Sequence, residues 1–268
     1  MTITQLNQLY DAAVDDEKRR LAYLLAFTVD GYMGGETRHL GDELANTEGQ
    51  ATITVDGESV SLRQAGVAQA NEADAGRRER IQEARLAAVS QQLNPLLDRL
   101  WRRCHGLAVD LGYPNYLELY SEVQGIDYGR LRAELEGFLS DTAGLYERVM
   151  DNLVRERLGI PMSKLRYADL PYLWRAPGYD HVFQADRLVP TLKSTLAGLG
   201  IDLEAQGNVH LDTEVREHKS PRAFCSPVRV PEEIYLVVLP HGGQDDYSAL
   251  LHEAGHTEHF AHVRSDLP

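Results

Sequence analysis

Apolar residues in the first part of the chain recur at helical spacing. Leu6, Leu9, Tyr10, Ala13, Leu21, Leu24 and Leu25 follow three- and four-residue steps with acids and bases between them, which predicts an amphipathic helix over about 5–27. Gly31, Gly34, Gly35 and Gly41 then break the pattern. In residues 51–62 the texture changes to alternating β-branched residues on either side of Asp56-Gly57, the signature of a hairpin whose tight turn needs positive φ at both central positions. Residues 62–111 are rich in Ala, Leu, Arg, Glu and Gln with Pro95 as the internal breaker, so two helices or one kinked helix are expected. Further helices are expected over 115–123, 128–158, 163–174 and 185–199, separated by glycine and proline stop signals.

After Gly207 short strand-like stretches follow, at 208–212, 222–225 and 233–239, the last reading Ile-Tyr-Leu-Val-Val-Leu as a mostly buried strand does. A final helix is expected over about 245–262, with Asp245 or Asp246 as its N-cap. The fold class is therefore mainly α, a multi-helix array with a small hairpin and a short sheet beside the last helix. The expected division is a helical domain over 1–200, with the hairpin near 51–62, followed by 201–268, where short strands lead into the last helix. No internal repeat or low-complexity tract interrupts it.

Charge narrows the classes of partner. The 268 residues carry 27 basic and 41 acidic side chains, a formal net charge of −14, and no basic cluster offsets it, so nucleic acid is not an expected partner. The two cysteines, Cys104 and Cys225, argue against a disulfide framework and for a reducing compartment. The N-terminus lacks the basic start and apolar stretch of a signal peptide, and no apolar run is long enough to span a bilayer. A soluble cytoplasmic protein without a membrane partner is the expectation.

The last helix carries the sharpest chemistry, His252-Glu253-Ala254-Gly255-His256. Residues four apart stand one above the other on a helix, so the two imidazoles can converge on one ion, and zinc is the ion this pattern suits. Glu253 projects about 100° around the axis from His252, beside the ion, where a carboxylate can take a proton from a water that the metal activates. With ten His and twenty-one Glu in the chain, chance produces the pattern roughly 0.03 times per sequence, and a solvent-exposed histidine-rich helix end is the competing reading. The flanking Leu250, Leu251 and Phe260, which would hold one face of the helix in a core, favour the metal site.

The stretch from Tyr235-Leu236-Val237-Val238-Leu239 through Gly242-Gly243-Gln244-Asp245-Asp246-Tyr247 to His252-Glu253-Ala254-Gly255-His256-Thr257-Glu258-His259-Phe260 resembles the catalytic segment of the thimet oligopeptidase and oligoendopeptidase F group of zinc metallopeptidases. Arg222-Ala223-Phe224-Cys225 and Leu107-Ala108-Val109-Asp110-Leu111-Gly112-Tyr113-Pro114 agree with it. The resemblance runs from about residue 70 onward and is most specific after 220. It implies a zincin-like, mostly helical fold around a substrate channel, zinc as cofactor, peptides as substrates, His252 and His256 as metal ligands and Glu253 as catalytic base. It also implies that Phe224 and Cys225 border a strand edge to which an extended peptide adds.

That family takes its third zinc ligand from a Glu on the next helix, some twenty or more residues past the motif, whereas Pro268 lies twelve residues after His256. The chain therefore reads as lacking the third ligand, which a downstream segment or a second chain would supply. His262 stands where metzincins place a third histidine, but the glycine that turns their helix is replaced by His259. Along a straight helix His259 and His262 lie about 10.5 and 15 Å from His252, too far to share an ion, and both read as surface histidines. Cys104-His105, the His241-Gly242-Gly243 turn, Trp101 and Trp174 read as structural positions. The functional expectation is a zinc-dependent peptidase, or a fragment of one. A catalytically inactive helical peptide-binding module, or half of a two-chain enzyme, is the alternative.

Overall fold

The structure is a computed structural model and describes residues 2–264 apart from 204, 217, 218 and 221. In chain order the helices α1 (Ile3–Ala12) and α2 (Asp15–Gln50) precede a hairpin of β1 (Thr52–Val55) and β2 (Glu58–Ser61). Helices α3 (Leu62–Asn71), α4 (Ala75–Ala88), α5 (Asn94–Asp110), α6 (Tyr116–Gln124) and α7 (Tyr128–Leu158) follow, with a π-helical turn at Val89–Leu93. Then come α8 (Leu170–Arg175), α9 (Leu188–Gly198), β3 (Val209–Asp212), β4 (Phe224–Arg229), β5 (Glu233–Val237) and α10 (Gln244–Ala261). The fold is mainly α with two small sheets, as the patterning predicts. No helix of the described residues is long and apolar enough to cross a membrane.

Two compact units are distinguished, Met1–Ala51 with Leu86–Asn152, and Thr52–Arg85 with Leu153–Pro268. In the first, Leu6 of α1, Leu25, Val29 and Met33 of α2, Leu107 and Ala108 of α5, and Leu119 and Val123 of α6 form one buried cluster. Each such leucine contributes about 1.5–3 kcal/mol by leaving water. The expected single helix over 5–27 is instead two. Ala13 and Val14 are extended and Asp15 takes a positive φ of 52°, and α2 then runs on through Gly31, Gly34, Gly35 and Gly41. Glycine costs a helix about 1 kcal/mol each, but the buried Val29, Met33 and Leu40 are interleaved with these positions and their packing outweighs the propensity.

Residues 62–111 resolve into three helices, with the π turn joining α4 to α5 and Pro95 in the first turn of α5, where its missing N–H costs nothing. Helix α7 occupies the expected 128–158. The expected helix over 163–174 is broken into two 3₁₀ turns, Met162–Lys164 and Tyr167–Asp169, followed by α8. Asp169 accepts from the Arg166 N–H at 3.0 Å, a local bond that competes with continuous helix.

The second unit opens with the hairpin, whose Asp56 and Gly57 have φ of 52° and 84°, as the predicted turn requires. Arg80 clamps Asp56 with two hydrogen bonds of 2.8 and 2.9 Å and so ties the turn to α4. The three-stranded sheet has the order β3-β5-β4, with β3 parallel and β4 antiparallel to the central β5. Ile234 and Leu236 of β5 are fully buried. Leu236 and Val238 pack with Leu188, Leu192 and Leu196 of α9 and with Tyr247, Leu250 and Ala254 of α10, which fixes α10 against the sheet.

Candidate metal centre

The N-cap of α10 is Gly243, not Asp245 or Asp246. Asp246 nevertheless ties down the start of the helix, because its Oδ2 accepts from the N–H groups of His241 and Gly242 at 2.6 and 2.8 Å. Gly243 has a φ of +96°, and its N–H donates to Phe183 O at 2.7 Å. A Cβ on Gly243 would sit 2.5 Å from Nη1 of Arg175, so the guanidinium lies directly against the helix start. Arg175 is itself buried, paired through both Nη atoms with Asp180 and bonded from Nε to Asn71 at 3.2 Å. Burial pushes the carboxyl pKa of Asp245 up in this first turn, against the opposing pull of the Arg175 charge. Sequence reasoning noted the glycine pair but missed Arg175, which carries no local signal.

One face of α10 is buried through Tyr247, Leu250, Ala254, Thr257 and Ala261, while His252 and His256 are exposed on another. Their Nε2 atoms lie 3.1 Å apart with the rings nearly perpendicular. With Zn–N bonds of about 2.0–2.1 Å, nitrogens at that spacing subtend roughly 95–100° at a shared ion, close to tetrahedral. The donor set thus suits zinc for two of its positions. Glu253, next to His252 in the chain, is half-buried and turned to the sheet, where its Oε2 accepts from the Cys225 N–H of β4 at 3.0 Å. The edge strand and the carboxylate are joined directly.

The other histidines of the helix are engaged elsewhere. His262 Nδ1 lies 2.9 Å from Glu258 O, and His259 meets Phe260 edge to face. Glu258 is buried, with Oε2 accepting from Gln206 Nε2 at 2.7 Å. Among the described residues no group of three or more His, Cys, Asp or Glu side chains is placed to hold a metal ion.

A Bacillus anthracis protein provisionally named oligoendopeptidase F superposes with a TM-score of 0.57 at 15% sequence identity, over 96% of this chain and 52% of that one. In fold, this chain resembles about half of that protein. A second structure provisionally named oligoendopeptidase F, from crystals grown by microfluidic seeding, gives a TM-score of 0.56 at 19% identity over 95% of this chain and 48% of its own. The chain therefore spans about half the length of the oligoendopeptidase F structures it matches. No protein-family model and no curated protein sequence matches it.

Proposed function

We propose that α10 is the metal-binding helix of a zinc-dependent peptidase, with His252 and His256 as ligands through Nε2 and Glu253 as general base. The supporting observation is the 3.1 Å convergence of the two imidazole nitrogens beside a carboxylate anchored to an edge strand, on an oligoendopeptidase F fold. Zinc held there supplies Lewis acidity, polarising a peptide carbonyl and lowering the pKa of a water from about 15.7 towards about 7. The protein's own part is orientation and proton transfer. The Cys225 N–H holds Glu253 Oε2, leaving Oε1 to accept a proton and return it to the leaving amine, a contribution of about 10²- to 10⁴-fold. The strand β4 stands beside that carboxylate and offers an edge along which an extended peptide would lie.

Catalytic zinc sites hold three protein ligands, so this reading includes a third, acidic ligand from a downstream segment or a second chain. The absence of a third donor among the described residues also favours a second reading, a helical peptide-binding module that does not turn over. Metal analysis together with cleavage of a quenched peptide separates the two. Stoichiometric zinc, lost in His252→Ala, with chelator-sensitive cleavage supports the peptidase. Metal content unchanged by His252→Ala removes the assignment, and peptide binding without zinc or cleavage supports the module.

A further inference from the structure

From residue 129 to 149, five to six turns of α7 are exposed all the way round, with only Thr142 half-buried. Leu135, Phe138, Leu139, Leu145, Tyr146 and Val149 are each between 52% and 64% exposed. At 100° per residue they fall within about 120° of one another, a continuous apolar stripe about 21 Å long. The opposite face carries Ala133, Gly137, Ser140 and Gly144, small residues at i, i+4, i+7 and i+11. Each glycine there costs the helix about 1 kcal/mol relative to alanine, and no neighbouring element closes on either one. An apolar stripe on one side and a shallow small-residue face on the other describe a helix that packs between two layers.

We infer that this stretch of α7 is the docking surface for the polypeptide that completes the oligoendopeptidase F fold, a mainly helical segment about as long as this chain. The matched structures are about twice this chain's length, so a complete fold holds that much more polypeptide to cover the helix. A second copy of this chain fits less well. Stripe-to-stripe pairing of two copies would leave the small-residue face bare. The docking shares with the peptidase reading only the expectation of further polypeptide, and stands or falls separately from it.

The test is hydrogen exchange along 129–149, measured in the 268-residue chain alone and in the chain co-expressed with the polypeptide encoded directly downstream of codon 268, fused or separate. Exchange there slows at least 100-fold with the added polypeptide, and Leu135→Arg/Leu139→Arg abolishes both the protection and co-purification. The same double variant leaves the far-ultraviolet circular dichroism of the chain alone unchanged, because both side chains are more than half exposed and belong to neither buried cluster. The inference is overturned if the added polypeptide leaves 129–149 unprotected. It is equally overturned if no such polypeptide is encoded, or if the chain alone sediments as a dimer that the double variant dissociates. Zinc is assayed on the same samples: protection without zinc removes the peptidase reading alone, and zinc without protection removes the docking alone.

Discussion

Glu253 Oε2 accepts a hydrogen bond from the Cys225 N–H at 3.0 Å, so the carboxylate of the motif is held by the edge strand of the sheet and not by its own helix. This anchoring leaves one oxygen for chemistry and fixes its direction. Replacement Glu253→Gln preserves the size of the side chain and removes the basic oxygen. Zinc content is expected to stay at the wild-type level while peptide hydrolysis falls about 10²- to 10⁴-fold. Hydrolysis within a few-fold of wild type, with metal retained, would discard the general-base role.

The helix that carries the motif starts under Arg175. In Gly243→Ala, the added Cβ meets Nη1 at 2.5 Å and the backbone must keep a φ of +96°, both unfavourable for an L-residue. The expected cost is about 1–3 kcal/mol of stability, read as a lower urea midpoint with an unchanged slope. The control is Gly255→Ala on the exposed side of the same helix, where an added Cβ meets nothing and raises helix propensity. Equal stability of the two variants would contradict the close approach.

Much of the fold is legible in the sequence because its signals are local. Asp56-Gly57 dictates the hairpin turn, and Gly125 and Gly159, both at positive φ, bracket α7. The i, i+4 pair of α10 is legible for the same reason, since helical geometry alone brings His252 and His256 together. What stays hidden depends on partners far along the chain. Burial of Val29, Met33 and Leu40 carries α2 through four glycines that read as a break. The Cys225–Glu253 bond joins residues 28 apart, and the contact of Arg175 with Gly243 crosses from α8 to α10. Neither has a spacing rule.

Acid should weaken the segment that leads into the sheet. Asp212 closes β3, bonded by Arg216 and by Lys219 Nζ at 2.9 Å, and these partners hold its carboxyl well below the usual carboxylate range. A depressed folded-state pKa contributes stability that is fully present above the unfolded value of about 3.9 and is lost as pH falls below it. The urea midpoint is therefore expected to drop between about pH 4 and pH 2. In Asp212→Asn that part of the drop disappears, and stability near pH 7 is lower because the buried Lys219 loses its carboxylate partner. An acid limb of the same depth in Asp212→Asn would refute the attribution.

The buried pair of Arg78 and Asp169 holds α4 to the turn before α8, and it offers the sharpest stability test. Both side chains are almost wholly enclosed, at 5% and 2% exposure, and Nη2 lies 2.7 Å from Oδ1 with Nε at 3.0 Å. The guanidinium also gives Nη1 to the carbonyls of Glu72 and Ala73 and lies over the Tyr172 ring. Removing one charge strands the other, so Asp169→Asn is expected to cost about 3–5 kcal/mol. Replacing both, as in Arg78→Met/Asp169→Leu, removes the desolvation burden along with the attraction and is expected to recover part of that loss, although the two carbonyls then lose their donor. Urea melts of Arg78→Met, Asp169→Leu and the double variant close the cycle that gives the coupling. A double variant less stable than Asp169→Asn would show that the pair's worth lies in the Arg78 hydrogen bonds to Glu72 and Ala73, which the single substitution leaves intact.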